Sequence, residues 1–250
     1  MLYDVLHSPG TADEVRALVH IAKGFDLKPK GPWLEPACGS GRYVRAAVAR
    51  GIRIAAFDAS EPMVAYARDR MRGIKASMYA LGVMRMESFD ADELAPGWRF
   101  AFAFNLINTI RHLETDAQLL GHLDRVHSAL HPGGLYAIGL SVSMYGAEQP
   151  SEDIWEASRG TLSIQQVVQF TPAMASRDRG EQVHSVLHVK RPTGTRTLPS
   201  SYTLRSYDVT QWRNIIDRSP FTLAGCVDDD GRKIDEPTLG YAIWLLQRKD

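Results

Sequence analysis

Cysteine is scarce in this sequence, with Cys38 and Cys226 the two examples in 250 residues. That count excludes a disulfide framework and a cysteine-rich zinc site, and it is typical of a protein in a reducing compartment. Neither sign of charge predominates, because 29 basic side chains balance 29 acidic ones. Without a positively charged stripe, a nucleic-acid partner is disfavoured.

Long apolar runs are also lacking. No stretch is long enough to span a bilayer and no basic-then-apolar leader stands at Met1, so we expect a cytoplasmic protein without a membrane partner. With 44% hydrophobic residues, the chain can bury one large core or a core with an appended subdomain.

Histidines are the remaining candidates for metal ligands. His122 and His127 are five residues apart, and His127 and His131 are four apart, a spacing that would place the latter two on one face of a helix. No third ligand at a suitable spacing accompanies them, so we expect three solvent-side histidines and no metal.

The segment Trp33 to Arg42, WLEPACGSGR, predicts the end of a buried strand, a glycine loop and the start of a helix. Gly39 and Gly41 let the backbone turn tightly and approach a ligand closely, because glycine has no Cβ. The helix over 42–50 then directs its free N–H groups back at the loop. This arrangement indicates a binding loop.

Two carboxylates define what that loop binds. A second apolar run, IRIAAFD, ends in Asp58, and a carboxylate at the end of this strand lies where a doubly wound sheet holds the hydroxyls of a ribose. Glu35, four residues before Gly39, would repel a pyrophosphate and attract a cationic or zwitterionic group. We therefore predict a nucleoside cofactor without phosphate.

These motifs resemble a known family. LEPACGSGR followed by AAFDASEPMVAYAR is similar to the first two motifs of class I S-adenosylmethionine-dependent methyltransferases, of the small-molecule type that carries methyltransferase domain 25. The resemblance extends over about residues 16–249 and implies S-adenosyl-L-methionine as cofactor. It assigns Glu35 to the amino acid end of that cofactor, Asp58 to both ribose hydroxyls and Met63 to the adenine. The other cofactor-binding positions it implies are Ala37, Gly39, Gly41, Ala59, Met84, Asn105 and Leu106.

The sequence departs from the family at the end of its third strand. A Gly-Asp-Met-Arg pattern is common there, whereas this chain has Gly82-Val83-Met84-Arg85. The missing acid normally binds the adenine amino group. That contact must come from the backbone, from another side chain such as Glu87 or Ser88, or be absent.

The order of the segments predicts an α/β fold. The resemblance implies a doubly wound, mostly parallel sheet of seven strands whose last strand is antiparallel, with an antiparallel β subdomain inserted after the fifth strand. We assign residues 1–144 to the cofactor-binding core, 145–206 to the insert, where three alternating segments predict strands, and 207–250 to a helix and the closing strands. Residues 232–235 are predicted to form a loop.

The insert is expected either to roof a substrate pocket or to form a homodimer. The residues most able to face a ligand there are Trp155, Gln169, His184, His188, Tyr202 and Arg205. Outside the insert, Tyr3 in the N-terminal segment and Asn108 after the fourth strand are further candidates. We predict Tyr3, Asn108, His184 and Tyr202 as the substrate residues.

Methyl transfer from a sulfonium is an in-line displacement that mainly requires alignment. The protein then needs only a base or a desolvated pocket for the acceptor, and His112, just beyond the fourth strand, is the first candidate base. His184 and His188 are the alternatives.

Three functions follow from the sequence. The first is methylation of N or O on a small-molecule acceptor, and the second is S-adenosylmethionine or S-adenosylhomocysteine binding without transfer. The third, a NAD(P)-dependent oxidoreductase, is disfavoured by Glu35 and by the absence of a G-x-G-x-x-G run. The segment NLIN is unlike the Asn-Pro-Pro-Tyr motif used on nucleobase amines, which argues against DNA methylation.

Overall fold

Twelve strands and seven α-helices make up the part of the chain that the computed structural model describes, residues 2–25 and 31–249. The strands are β1 (Trp33–Pro36), β2 (Ile54–Asp58), β3 (Tyr79–Val83), β4 (Phe100–Asn105), β5 (Leu130–Val142), β6 (Ser151–Arg159), β7 (Leu162–Thr171), β8 (Gly180–Arg191), β9 (Gly194–Arg205), β10 (Phe221–Val227), β11 (Lys233–Ile234) and β12 (Gly240–Arg248). The helices are α1 (Leu2–His7), α2 (Thr11–Gly24), α3 (Arg42–Ala49), α4 (Glu61–Arg70), α5 (Ala91–Leu94), α6 (Asp116–Ala129) and α7 (Val209–Arg218). Two 3-10 helices cover Ala76–Met78 and Thr109–His112.

The central sheet has the strand order β11-β10-β12-β5-β4-β1-β2-β3. Strands β1 to β5 run parallel to one another, and β12 is antiparallel to both β5 and β10. The predicted fold class, with its antiparallel last strand, is confirmed. The sheet gains an eighth strand because two residues of the expected loop 232–235 pair with the end of β10 as β11.

Apolar strands place the core on both faces of this sheet, as expected for parallel strands covered by helices. All six residues of β4 are buried. On one face Leu123 of α6 and Trp212 of α7 belong to the core, and on the other Leu18 of α2 and Val44 of α3 do. Capping boxes fix the start of α6, through Thr115 and Gln118, and the start of α7.

Strands β6 to β9 form a second, antiparallel sheet in the order β6-β7-β8-β9. The sequence predicted three strands here and missed β6, because nearly all of its residues are exposed and its sequence, SEDIWEASR, does not alternate. One face of the second sheet packs on α1, where Val5 and Leu6 meet Ile164. The N-terminal helix thus lies between the two sheets.

His122 is not the solvent-side residue that the sequence predicted. It is completely buried on α6, where its Nδ1 donates to the carbonyl of Met86 at 3.0 Å and its Nε2 accepts from the hydroxyl of Tyr136 at 2.8 Å. Burial lowers its pKa to about 4, so the ring is neutral at physiological pH. Helical spacing could not show that this position faces the sheet.

Within residues 2–25 and 31–249, no helix is both long and apolar enough to cross a bilayer. The same residues contain no group of three or more His, Cys, Asp or Glu side chains placed to hold a metal ion.

Candidate functional site

The loop between β1 and α3 has a backbone that glycine makes possible. Gly39 and Gly41 have φ angles of 51° and 69°, in the left-handed region. A Cβ on Gly41 would lie 2.9 Å from the Cβ of Ala67 on α4. Gly41 therefore serves both the turn and the close approach of α4. Ala37 adopts a φ of 54° without being glycine, which concentrates backbone strain in this loop.

Asp58, the last residue of β2, is hydrogen-bonded to this loop. One carboxylate oxygen accepts the N–H of Gly39 at 2.8 Å, and the other accepts the N–H of Ser60 at 2.8 Å. Each carboxylate oxygen can accept about two hydrogen bonds, so each retains capacity for another donor. The remaining acceptor capacity of the two oxygens suits two adjacent hydroxyl donors, such as those of a ribose.

Glu35 is a buried carboxylate with an unpartnered oxygen. It is 4% exposed, and its Oε2 atom lies out of contact with water and without a hydrogen-bond partner. Burial raises its pKa well above the usual value; Arg42 opposes that shift and Asp58 adds to it. Arg42 is itself engaged by Glu14, at 2.5 Å. The open oxygen therefore suits an incoming cation, which would supply the missing partner.

Two adjoining cavities form one cleft over these groups. The inner cavity, of about 50 Å³, and the outer cavity, of about 410 Å³, share four lining residues: Tyr3, Ala37, Gly39 and Thr109. Glu35, Asn105 and Leu106 line the inner cavity. Asp58, Ala59, Met63, Met84 and His112 line the outer one. The cofactor positions predicted from the sequence thus line one cleft, with the exception of Gly41. Gly41 lies outside the lining and packs against Ala67 of α4.

The outer cavity lacks the acid that is usual after the third strand. Val83 is 44% exposed and does not line the cavity, whereas Met84 and Glu87 do. Glu87 pairs with Arg85 at 2.5 Å. Although partial burial raises its pKa, the hydrogen bonds from its own backbone and from Arg85 outweigh that and lower it overall. Glu87 is therefore an ionised acceptor at this end.

Asp4 holds α1 over the cleft. Its buried carboxylate accepts hydrogen bonds from Ser40 in the glycine loop, Arg45 on α3, Tyr66 on α4 and Arg159 at the end of β6. Tyr3, one residue earlier, lies at the junction of the two cavities. Asp4 was not among the residues predicted from the sequence, although it is an acid in the first turn of a short helix.

The second sheet brings one aromatic side chain to the cleft side. The ring of Tyr202 lies 5.4 Å from that of His112. Burial lowers the pKa of His112 and nearby Arg111 adds to this, while Asp58 acts in the opposite direction. The imidazole is thus neutral at physiological pH and able to accept a proton.

Other insert candidates lie away from the cleft. His184 and His188 are on the outer face of β8, where they contact Ser201 and Thr197. Side chains alternate between the faces of a strand, and the sequence could not show which face is inner. The remaining candidates are placed as follows: Trp155 lies 6.0 Å from the ring of His7, Gln169 donates to Glu152, and Arg205 pairs with Asp116.

Asn105, the last residue of β4, and Asn108, in the turn that follows, have different environments. Asn105 donates to the carbonyl of Pro36 at 3.0 Å, and its Oδ1 is buried without a partner in the wall of the inner cavity. Asn108 exchanges two hydrogen bonds with Ser141 on β5, its Nδ2 donating to Oγ at 3.0 Å and its Oδ1 accepting the N–H at 2.7 Å. The side chain of Asn108 is therefore used within the fold.

Residues 34–134 match the family model described as "Methyltransferase domain". No curated protein matches the chain. Among solved structures, an S-adenosylmethionine-dependent methyltransferase from Clostridium acetobutylicum is similar with a TM-score of 0.76 and 13% identity, over 99% of this chain and 96% of that one.

Two further solved structures are similar along nearly the whole chain. The amino pentose methyltransferase CalS10 from Micromonospora echinaspora has a TM-score of 0.68 and 17% identity, over 95% of this chain and 92% of that one. The sugar N-methyltransferase KedS8 from a Streptoalloteichus species has a TM-score of 0.70 and 14% identity, over 98% and 90%. Residues 34–134 match a methyltransferase domain, as the sequence predicted, and the whole chain has the fold that class I S-adenosylmethionine-dependent methyltransferases share.

Proposed function

We propose that this protein binds S-adenosylmethionine in the cleft and transfers its methyl group to nitrogen or oxygen of a small-molecule acceptor. The observation that carries the proposal is the buried, unpartnered oxygen of Glu35 at the inner end of a cleft whose outer end contains Asp58. An ammonium group would supply the missing hydrogen-bond partner of Glu35, and two ribose hydroxyls would donate to the two oxygens of Asp58. A pyrophosphate has no hydrogen-bond donor to offer either carboxylate.

Each end of the cofactor has residues suited to it. Glu35 and the loop at Gly39 hold the amino acid end, Asp58 holds the ribose, and Met63 and Met84 contact the adenine through polarizable side chains. Glu87 is the carboxylate available to the adenine amino group. When bound, S-adenosylmethionine supplies a methyl group already activated by a positively charged sulfur.

The charges around the cleft favour an amine as acceptor. Four carboxylates line it, those of Glu35, Asp58, Glu87 and Glu114, against two arginines, each paired with a carboxylate. Such a cleft attracts cations and repels phosphorylated compounds. CalS10 and KedS8 are described as acting on an amino pentose and on a sugar nitrogen, which supports the same acceptor class. We therefore expect a small polar amine.

His112 and Tyr202 form the acceptor side of this mechanism. The neutral imidazole of His112 takes the proton that the acceptor loses, and the ring of Tyr202 beside it contacts the acceptor's apolar surface. Tyr3 covers the junction of the two cavities and reduces the access of water. Alignment of the acceptor with the methyl group provides the remaining rate acceleration.

Calorimetry with S-adenosylmethionine, S-adenosylhomocysteine and NAD tests the cofactor. We expect both sulfur compounds to bind and NAD to be rejected, and preferential binding of NAD would overturn the proposal. Incubation with methyl-labelled S-adenosylmethionine and a panel of amino sugars, other amines and hydroxylated metabolites then tests the transfer. Tight cofactor binding with no labelled product across the panel would point instead to a binding protein without transferase activity.

A further inference from the structure

The turn that joins β4 to the 3-10 helix Thr109–His112 is strained. Ile107 and Asn108 have φ angles of 57° and 58°, and the N–H of Thr109 donates to the carbonyl of Leu106 at 3.3 Å. Turns with positive φ at both central residues are dominated by glycine, asparagine and aspartate. Asn108 suits such a turn. A β-branched residue such as Ile107 is an outlier there, so other contacts must hold it.

Contacts from two other strands hold this turn. The N–H of Asn108 donates to the carbonyl of Gly139 on β5 at 3.0 Å, and the side chain of Asn108 is fixed by Ser141. The N–H of Ile107 donates to the hydroxyl oxygen of Tyr241 on β12 at 3.2 Å. The backbone of Ile107 is thus anchored by a side chain 134 positions later in the sequence.

Gly139 leaves the space through which Tyr241 reaches the turn. A Cβ on Gly139 would lie 2.0 Å from the Tyr241 hydroxyl oxygen and 2.9 Å from the Ile107 nitrogen. Any side chain at position 139 would therefore displace the tyrosine, the turn or both. The contact between Tyr241 and Ile107 depends on this glycine.

This turn carries one wall of the cleft. Leu106 and Ile107 line the inner cavity, Thr109 lines both cavities, and His112 lines the outer one. We infer that Tyr241 is a positioning residue for methyl transfer: its hydroxyl holds Ile107 in the strained turn and so fixes Thr109 and His112 against the cleft. The inference rests on the proposed function for its catalytic part, whereas the holding of the turn is independent of it.

Hydrogen exchange tests the turn without any substrate. In Tyr241→Phe, amide exchange in a peptide covering 106–112 should become about tenfold faster, the factor expected from one lost hydrogen bond. Exchange in the glycine loop, 37–41, should be unchanged. The matched control is Tyr145→Phe, which removes a hydroxyl that donates to Gln211 at 2.8 Å away from the cleft and should leave exchange at 106–112 as it is. Unchanged exchange in Tyr241→Phe would overturn the inference.

Kinetics test the catalytic part with the acceptor identified by the methyl-transfer assay. Tyr241→Phe should lower kcat about tenfold while the Kd for S-adenosylmethionine changes less than about threefold. In an Ile107→Asn background, where the turn needs less support because asparagine tolerates positive φ, the effect of Tyr241→Phe on kcat should fall below about threefold. An undiminished effect in that background, or a kcat equal to that of wild type, would overturn the positioning role. Absence of any methylation by wild type would instead contradict the proposed function, and the exchange result would still decide the role of Tyr241 in the turn.

Discussion

At the scale of single residues, the buried carboxylate of Glu35 makes cofactor affinity depend on pH. Burial raises its pKa well above the usual value, so the free protein retains the Glu35 proton to a higher pH than it would on an exposed glutamate. An ammonium group binds the ionised form, and binding therefore releases a proton. The affinity for S-adenosylmethionine should rise with pH until the ligand's own amino group begins to lose its proton, near pH ~8.

Replacement of Glu35 by glutamine should remove that dependence. We expect affinity for S-adenosylmethionine to fall roughly 10- to 100-fold, as for the loss of a charge-assisted hydrogen bond, and the pH slope to flatten. Calorimetry in buffers of different ionisation enthalpy measures both the affinity and the proton release. Glu93→Gln, at an exposed position on α5, serves as the control. An unaltered slope in Glu35→Gln would show that another group couples to the ligand.

His112 should affect turnover much more than cofactor binding. Removal of a general base costs on the order of 100-fold or more in rate, so His112→Ala should lower kcat by at least that factor and leave the Kd for S-adenosylmethionine within about threefold. Because burial lowers the pKa of His112, activity in wild type should persist somewhat below the usual histidine pKa of 6.5 and then decline in acid. A rate profile from pH 5 to 8 checks this, with His20→Ala as control. Unchanged turnover in His112→Ala would remove it from the mechanism.

Site residues that lie close together in the sequence could be predicted from it. Glu35, Gly39 and Asp58 follow one another within two strands and a helix, so their roles could be inferred from the sequence. Tyr241 and Ile107 could not be paired in this way, because the antiparallel placement of β12 beside β5 brings them together. Strain at Ile107 is likewise a property of the folded backbone.

At the scale of elements, α1 is held by a single buried charge. Burial alone would raise the pKa of Asp4, but hydrogen bonds from Ser8, Arg45 and Tyr66 outweigh it and lower the pKa below its usual 3.8. A carboxylate with a depressed pKa stabilises the fold above its unfolded pKa, and that contribution is lost as the pH falls through the folded value. Asp4 should therefore stabilise the packing of α1 on the rest of the fold at neutral pH and lose this effect in strong acid.

Asp4→Asn should destabilise the protein by about 2 kcal/mol at pH 7, because it removes charge-assisted bonds to a fully buried group. The bond from Arg159 adds little, since that side chain is 46% exposed and is screened by solvent. Urea unfolding at pH 7 and at pH 3 measures the difference, which should shrink at the lower pH. Asp13→Asn, which disrupts an exposed pair with Arg16, is the matched control and should cost less than about 0.5 kcal/mol. An equal loss at both pH values would contradict the charge-based account.

Strands whose residues are mostly apolar and buried were predicted from the sequence, whereas the exposed strand β6 was not. The strands of the core follow from continuous apolar runs, as in β4, where every residue is buried. Strand β6 has no such signal, because hydrogen bonds to β7 place it in the second sheet and little of its surface is buried. The orientation of the second sheet, which turns His184 outward and Tyr202 toward His112, depends on packing against α1.

At the scale of the whole molecule, the sheet order positions the site. Strands β2 and β3 are added on one side of β1, and β4 and β5 on the other, so the strand order reverses between the parallel neighbours β1 and β4. Ligands bind outside the carboxyl ends of strands at such a switch point. The ends of β1, β2 and β4 place Glu35, Asp58 and Asn105 around one cleft. The order of the motifs along the sequence was sufficient to predict this convergence, whereas the acceptor side depends on the second sheet.

Cofactor binding should therefore stabilise the entire fold, since the cleft joins α1 to three strands of the sheet. A ligand that binds the native state alone, at 100 times its Kd, adds about 2.7 kcal/mol, which for a chain of this length raises Tm by roughly 5–10 °C. S-adenosylhomocysteine at that ratio should produce such a shift in wild type, and at the same concentration a much smaller one in Glu35→Gln. NAD should give none, because the carboxylate of Glu35 opposes its pyrophosphate. A scanning calorimetry experiment in which NAD matches S-adenosylhomocysteine would contradict the electrostatic basis of the cofactor assignment, because the charge of Glu35 would then have no influence on which ligand is bound.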